Sequence, residues 1–113
     1  MSPGDVVQIP LPQFGGVTPK PRPALVVAVL PGPYQNLLLC GVSTQLQQLQ
    51  PNRDELLQQG DPDFASSGVH RISAIRLSYL YAAEPSELTG VIGRIDPARL
   101  QRLQQRLADH LRP

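Results

Sequence analysis

The sequence lacks tryptophan, and Cys40 is its single cysteine among 113 residues. One cysteine can neither close an intramolecular disulfide nor supply a cysteine-rich zinc site, so we expect a reducing, cytoplasmic location. The first residues carry no basic segment followed by an apolar one, so no signal peptide is visible. The longest apolar stretches, residues 24–30 and 37–40, are too short to cross a membrane.

The sequence also has almost no excess of charge of one sign. Ten Lys and Arg residues against nine Asp and Glu residues leave a formal net charge of +1. That balance excludes a broad, histone-like basic surface, but it does not exclude a small local anion site. Thirteen prolines argue against a helical bundle, because proline interrupts helices and central strands. The length predicts one domain, residues 1–113, with a core of its own.

Short apolar runs separated by turn residues predict a mainly β structure. The predicted strands cover residues 6–9, 24–30, 37–43, 72–81 and 88–95. The turn Pro31-Gly32-Pro33 predicts that the second and third strands pair antiparallel. Residues 13–23 are predicted to form a loop whose tip is Gly15-Gly16, and residues 45–60 are ambiguous, although Pro51 excludes one long helix.

The clearest element is a C-terminal helix. Asp96 is a suitable N-cap and Pro97 a suitable first helical residue. An apolar stripe at helical spacing follows, made of Leu100, Leu103, Leu107 and Leu111. The basic residues of the helix lie on another face, which we expect to be solvated: Arg99, Arg102 and Arg106. Strands followed by one helix predict a small antiparallel barrel or curled sheet with the helix packed on it.

Two polar features follow from this arrangement. Arg22 stands between two prolines at a strand entrance, and a guanidinium on a restrained backbone suits two phosphate oxygens. Ser43 and Thr44 end the next strand, where their hydroxyls can donate to phosphate. Antiparallel pairing would bring both features to one sheet edge as a phosphodiester site. The alternatives are a solvated arginine and an ordinary strand-terminal turn.

Three motifs carry a family resemblance: GDVV at residues 4–7, RPALVV at residues 22–27 and VSTQ at residues 42–45. Together they resemble the MazF/PemK toxin family, and weaker similarity extends over essentially the whole chain. The resemblance implies an SH3-like antiparallel β-barrel, usually a homodimer. It implies the toxin of a type II toxin-antitoxin system, an mRNA interferase that cleaves single-stranded RNA at short sequences, stops growth and is neutralised by a cognate antitoxin.

The resemblance also implies residue roles. Arg22 matches the catalytic arginine of the family and Ser43 its catalytic threonine, with the hydroxyl kept. The substrate-binding candidates are Lys20, Thr44, Gln45, Arg71 and Arg76. The implied reaction needs neither metal nor cofactor: the 2′-hydroxyl attacks the phosphorus and leaves a 2′,3′-cyclic phosphate and a 5′-hydroxyl. Arginine holds its proton, so electrostatic stabilisation is the expected role of Arg22. Ser73 stands where some members have aspartate.

Alternatives remain at this point. Ser73 and Ser43 keep open a non-catalytic barrel that binds RNA or poisons gyrase, and the proline-rich loop could be a docking ligand. His70 suits proton transfer or simple solvation. The tyrosines at positions 34, 79 and 81 could stack bases, whereas Tyr79 and Tyr81 on one strand face equally suit a core. Acidic residues gather at 54–63 and 84–87, and the basic candidates are expected to converge on one edge.

Overall fold

A computed structural model describes residues 1–11, without the side chain of residue 11, and residues 20–112. The six strands are β1 Asp5–Leu11, β2 Lys20–Val29, β3 Leu37–Ser43, β4 Glu55–Leu57, β5 Ser73–Ala83 and β6 Gly90–Arg94. The helices are α1 Phe64–Ser67 and α2 Pro97–Leu111, with 3-10 turns at Leu46–Gln48 and Pro85–Glu87. The expected mainly β structure with a C-terminal helix is confirmed. The predicted Gly15-Gly16 tip lies outside the described residues.

All neighbouring strands pair antiparallel in one curled sheet, in the order β4-β5-β3-β2-β1-β6. The bounds predicted for β3 and its pairing with β2 are confirmed. β1 and β2 are both longer than predicted, since β1 continues through Pro10 and β2 begins at Lys20. Pro10 faces Pro21 across these strands, so two residues that lack an N–H group share one position of the ladder.

The two faces of the sheet carry separate cores, because successive strand residues point to opposite sides. In β2, Leu25 and Val27 enter the core beneath α2, which we call the helix-side core. Ala24 and Val26 enter the other, the far-side core. The far-side core consists of Val7, Ile9, Ala24, Val26, Leu37, Leu39 and Ala83, with Tyr81 and Leu88 packed against it.

A bulge in β5 moves the following residues to the other face of the sheet. The register jumps at one point of the β3–β5 pairing, from Gly41↔Arg76 to Cys40↔Leu80. Three residues of β5, 77–79, lie between these two pairs and have no partner in β3. Because strand side chains alternate with a period of two, an odd number of extra residues turns the residues that follow to the opposite face. Ile75 therefore packs in the helix-side core whereas Tyr81 packs against the far-side core. In a regular strand over the predicted residues 72–81, Ile75 and Tyr81 would share one face, and the bulge separates them.

α2 begins as predicted. The Asp96 carboxylate accepts a hydrogen bond from the Ala98 N–H at 3.0 Å, and Pro97 is the first helical residue. Of the predicted stripe, Leu103 and Leu107 are buried in the helix-side core, whereas Leu111 is 71% exposed. In the described part of the chain, no helix is long and apolar enough to cross a membrane.

The expectation that Arg99 is solvated is wrong. Arg99 is 7% exposed, and its guanidinium donates to both carboxylate oxygens of Asp63 at 2.8 and 3.1 Å. The same group donates to Glu55 at 2.8 Å and Asp61 at 3.0 Å. These four residues form the Arg99 ion cluster, which ties the chain around β4 and α1 to α2. Sequence spacing could not show it, because the carboxylates come from another part of the chain.

Two carboxylates of this cluster, those of Glu55 and Asp63, have lowered pKa values and are held in the ionised form. Burial raises the pKa of Glu55, but hydrogen bonding from Arg102 and the charges of the helix arginines outweigh it, so the pKa lies below its ordinary value. Burial likewise opposes the lowered pKa of Asp63, where the hydrogen bonds from Arg99 and from the Asp96 N–H prevail. Arg102, half exposed, and Arg106 complete the contacts of Glu55.

Candidate functional site

A cavity of about 400 Å³ opens at the end of the far-side face, where β2, β3 and β5 lie side by side. We call it the arginine cavity. Its lining comprises Arg22, Pro23, Gly41, Val42, Ser43, Thr44, Gln45, Gln48, Ser73, Arg76, Tyr79 and Tyr81. Two of the sequence-predicted residue groups, the arginine of β2 and the hydroxyls at the end of β3, thus meet in one cavity.

The strand register explains why Arg22 and Ser43 meet. β2 and β3 pair with Ala24 opposite Gly41, and continuing that register by two residues brings Arg22 opposite Ser43. Arg22 lies inside β2, beyond the strand entrance where the sequence placed it, because β2 begins at Lys20; it also pairs with Ile9 of β1. Its backbone is therefore fixed by a neighbouring strand as well as by the adjacent prolines. The side chain remains exposed.

Ser43 is oriented by its own turn. Its Oγ accepts a hydrogen bond from the Gln45 N–H at 3.0 Å. A serine hydroxyl can accept and donate at once, so the Ser43 O–H remains able to donate into the cavity. Thr44 is exposed beside it, and the Gln45 side chain accepts from Gln47 at 2.7 Å. The end of β3 and the residue that follows it therefore present two hydroxyl groups at the cavity edge.

Arg76 reaches the same cavity from β5 and is held there. Its guanidinium donates to the Gln48 side chain at 3.0 Å and to the Ser78 hydroxyl at 3.3 Å. Its Nε lies 3.7 Å from a carboxylate oxygen of the buried Asp54. Arg76 is therefore not a freely solvated side chain. The sequence led us to expect the acidic segment to lie apart from the basic edge. The contact between Asp54 and Arg76 shows that it does not.

A second cavity of about 610 Å³ adjoins the first and shares Pro23, Thr44 and Ser73 with it. We call it the histidine cavity. Its lining comprises Gln8, Pro23, Thr44, Gly68, Val69, His70, Arg71, Ser73 and Ile92. The turn that carries its two basic residues is positioned by Gly68, which has φ +82° and lies so close to β6 that a Cβ there would be 2.3 Å from the Ile92 oxygen.

Ser73 is part of the wall rather than a free group. It is 3% exposed, and its hydroxyl donates to the Arg71 carbonyl oxygen at 2.9 Å. His70 and Arg71 are exposed in the histidine cavity. Lys20 is the predicted site residue that the structure does not bring in, since neither lining includes this exposed residue at the start of β2.

The charge of the two cavities has one sign. Their described linings contain three arginines and a histidine but no aspartate or glutamate. The described residues also offer no ion-pair partner to Arg22, whereas Arg76 has Asp54 beside it. A concave surface lined by cations attracts anions. Within the described ranges, no group of three or more His, Cys, Asp or Glu side chains is placed to hold a metal ion.

Sequence reasoning gave too little weight to two features of the arginine cavity. Tyr79 and Tyr81 line it together, which depends on the bulge in β5. Asp54 and Gln48 support Arg76 from a segment that showed no clear pattern. Cys40 is buried in β3, and this burial, followed by the charge of Asp54, raises the pKa of its thiol to about 12. A thiol that keeps its proton is unreactive.

Comparison with known families gives a match that spans almost the whole chain. The model of the family described as PemK-like, MazF-like toxin of type II toxin-antitoxin system matches residues 2–111. A search of curated proteins finds no match. The matched range includes every strand, both helices and both cavities described above.

Proposed function

This chain belongs to the PemK-like, MazF-like toxins of type II toxin-antitoxin systems, and from that premise we propose that it is a metal-independent endoribonuclease. Its substrate is single-stranded RNA, chiefly mRNA, which it cleaves at a short sequence in the cytoplasm to stop translation and growth. It works as a homodimer that a cognate antitoxin neutralises.

The observation that supports this proposal is the shared cavity of Arg22 and Ser43. One side chain offers a planar, permanently charged fork, and the other offers a hydroxyl whose oxygen is already held by the Gln45 N–H. A phosphodiester carries one negative charge on two oxygens, and these donor types match it. The cationic lining without carboxylates would hold the RNA backbone on both sides of that phosphate.

The chemistry follows from the substrate. The 2′-hydroxyl of the ribose loses its proton as its oxygen bonds to the adjacent phosphorus, the bond from phosphorus to the 5′-oxygen breaks, and that oxygen takes up a proton. The products are a 2′,3′-cyclic phosphate and a 5′-hydroxyl. Negative charge grows on the non-bridging oxygens, where Arg22 and Ser43 stabilise it. Arg22 does not give up its proton, so proton transfer falls to His70, the one histidine that lines either cavity.

RNA cleavage in EDTA tests the proposal. We expect the wild-type protein to cut single-stranded RNA, and Arg22→Ala to lower kcat/KM by about 100- to 1,000-fold, as loss of a charge-stabilising donor does. Arg112→Ala is the matched control, because it removes the same charge at the exposed C-terminal cap of α2. Equal cleavage by Arg22→Ala and the control would refute the site assignment, and no cleavage by wild type would refute the activity.

A second candidate function is RNA binding without cleavage. The buried Ser73, with its hydroxyl donated to a backbone carbonyl, and the absence of a carboxylate from the described cavity linings favour it. Its signature would be wild-type protein that shifts single-stranded RNA in a gel but leaves the strand intact. A parallel assay of DNA gyrase inhibition separates this outcome from a protein-directed toxin.

A further inference from the structure

The arginine cavity has an aromatic wall. Tyr79 is 48% exposed, and its ring lies against the β3 backbone at Gly41, where an added Cβ would be 3.3 Å from the ring. Tyr81 meets it edge to face, with ring centroids 5.5 Å apart and planes at 74°. The absence of a side chain at Gly41 therefore leaves room for a ring that is packed on one side and open on the other.

The hydroxyl of Tyr81 is buried and has no hydrogen-bond partner among the described residues. Buried polar atoms are normally paired, so such an atom beside a cavity points to a missing partner. Burial, followed by the charges of Tyr79 and Cys40, raises the pKa of this phenol. The group keeps its proton and can both donate and accept a hydrogen bond.

The spacing suits a nucleotide. Ser43, Gly41 and Leu39 follow one another on the same face of β3, and two strand residues cover about 7 Å. Arg22 and Ser43 stand at the first position, the Tyr79 ring lies over the second, and Tyr81 is opposite the third. A phosphate bound at the first position would place an attached nucleoside over the aromatic wall.

We propose that Tyr79 and Tyr81 form a nucleobase-binding subsite, in which a base stacks on the Tyr79 ring and hydrogen-bonds to the Tyr81 hydroxyl. The base belongs to the nucleotide next to the phosphate held by Arg22 and Ser43, so the inference rests on the proposed function. Stacking accepts any base, because every base has a π face. A hydroxyl that donates to or accepts from the edge of a base discriminates among the bases, so this wall sets part of the cleavage sequence.

Binding of an uncleavable RNA tests the stacking half of the inference. The probe is a short single strand with 2′-O-methyl riboses, in which an abasic residue replaces each position in turn. We expect one abasic position to weaken wild-type binding about tenfold, which corresponds to the loss of one stacked base. Tyr79→Leu should bind the probe that is abasic at that position as well as the probe that has a base there. Tyr79→Phe should behave as the wild type.

The control is Tyr34→Leu, which changes a tyrosine that is 75% exposed and lines neither cavity. The subsite would be refuted if no abasic position weakened binding to the wild type. It would also be refuted if the sensitive abasic position weakened binding to Tyr79→Leu as much as binding to the wild type. Because this probe cannot react, the result does not depend on cleavage. Binding with a base-dependent position but no cutting of ordinary RNA would refute the endoribonuclease and keep the subsite.

Tyr81→Phe tests the hydroxyl. Each protein cleaves a randomised RNA pool, and the cut sites are mapped by sequencing. Compared with the wild type, Tyr81→Phe should show a preference for one base at a position beside the cut that is about tenfold weaker. The melting temperature should not fall, because the removed oxygen has no partner in the described structure. An unchanged cleavage profile would overturn the recognition role, and a lower melting temperature with an unchanged profile would mean that the hydroxyl is structural.

Discussion

Two arginines of this protein have opposite surroundings. Arg99 is 7% exposed and contacts three carboxylates, so its charge is neutralised within the molecule. Arg22 is exposed in a cavity whose described lining holds no carboxylate. The first guanidinium fastens α2 to the segment around β4, and the second remains available to an anion from outside. The partners within reach, rather than the residue type, separate an arginine that is neutralised within the fold from one that has no carboxylate partner among the described residues.

Arg76 stands between these two extremes. It lines the arginine cavity, yet Gln48, Ser78 and the buried Asp54 fix its position. A guanidinium held in this way loses little conformational entropy when a ligand binds. A freely moving side chain would lose more, so the fixed position favours ligand binding. The neighbouring carboxylate at the same time reduces the charge it offers. Arg22 is therefore the main phosphate ligand in the proposed site, and Arg76 is a fixed neighbour.

Arg99→Met should produce the largest effect and test the structural side of this comparison. It leaves the buried Asp63 without its main partner, and breaking a buried ion pair costs about 3–5 kcal/mol. We expect chemical denaturation to show a fall of that size in the free energy of unfolding. The Arg112→Ala control should change it by no more than about 0.5 kcal/mol. Similar values for the two variants would mean that burial of Arg99 contributes nothing to stability.

Ser43→Ala should affect activity instead of stability. Loss of the one hydroxyl that donates to the developing charge is expected to lower kcat about 100-fold, equivalent to about 2.7 kcal/mol. The melting temperature should stay near that of the wild type, because only the Gln45 N–H at the protein surface loses its partner. Ser43→Thr restores the hydroxyl and should recover most of the rate. A variant lacking the hydroxyl but cleaving at the wild-type rate would remove Ser43 from the site.

Local signals explain which parts of the fold could be predicted. The bounds of β3 and the cap of α2 depend on residues next to one another, such as Asp96 and Pro97. The bulge in β5 leaves no comparable sign, since residues 77–79 have ordinary strand composition. Its consequence, the transfer of Tyr81 to the far-side face, follows only from the pairing with β3. Position on a sheet face is thus a property of two strands together.

The candidate site shows the same division. The meeting of Arg22 with Ser43 follows from a short turn and an antiparallel pair, both visible in the sequence. The partners of Arg99 and Arg76 are distant along the chain: Asp63 lies 36 residues from Arg99, and Gln48 lies 28 residues from Arg76. No spacing rule relates such residues. The sequence therefore suggested where the cavity forms but not which arginines are neutralised before a ligand arrives.

Acid should have the smallest of these effects, a gradual loss of thermal stability, because it protonates the carboxylates of the Arg99 ion cluster one after another. The pKa values of Glu55 and Asp63 lie below their ordinary 4.5 and 3.8 in the folded protein. A lowered folded-state pKa means that the unfolded chain binds protons first, so this stabilisation is complete above about pH 5 and declines as the pH falls through the folded-state values. We expect the melting temperature to decrease over that range in the wild type.

Arg99→Met should show a shallower decrease in melting temperature, because its Asp63 has lost the interaction that lowered the pKa. Parallel curves for the two proteins would assign the acid sensitivity to other carboxylates, whereas Arg22→Ala should follow the wild-type curve, since the described structure gives Arg22 no carboxylate partner.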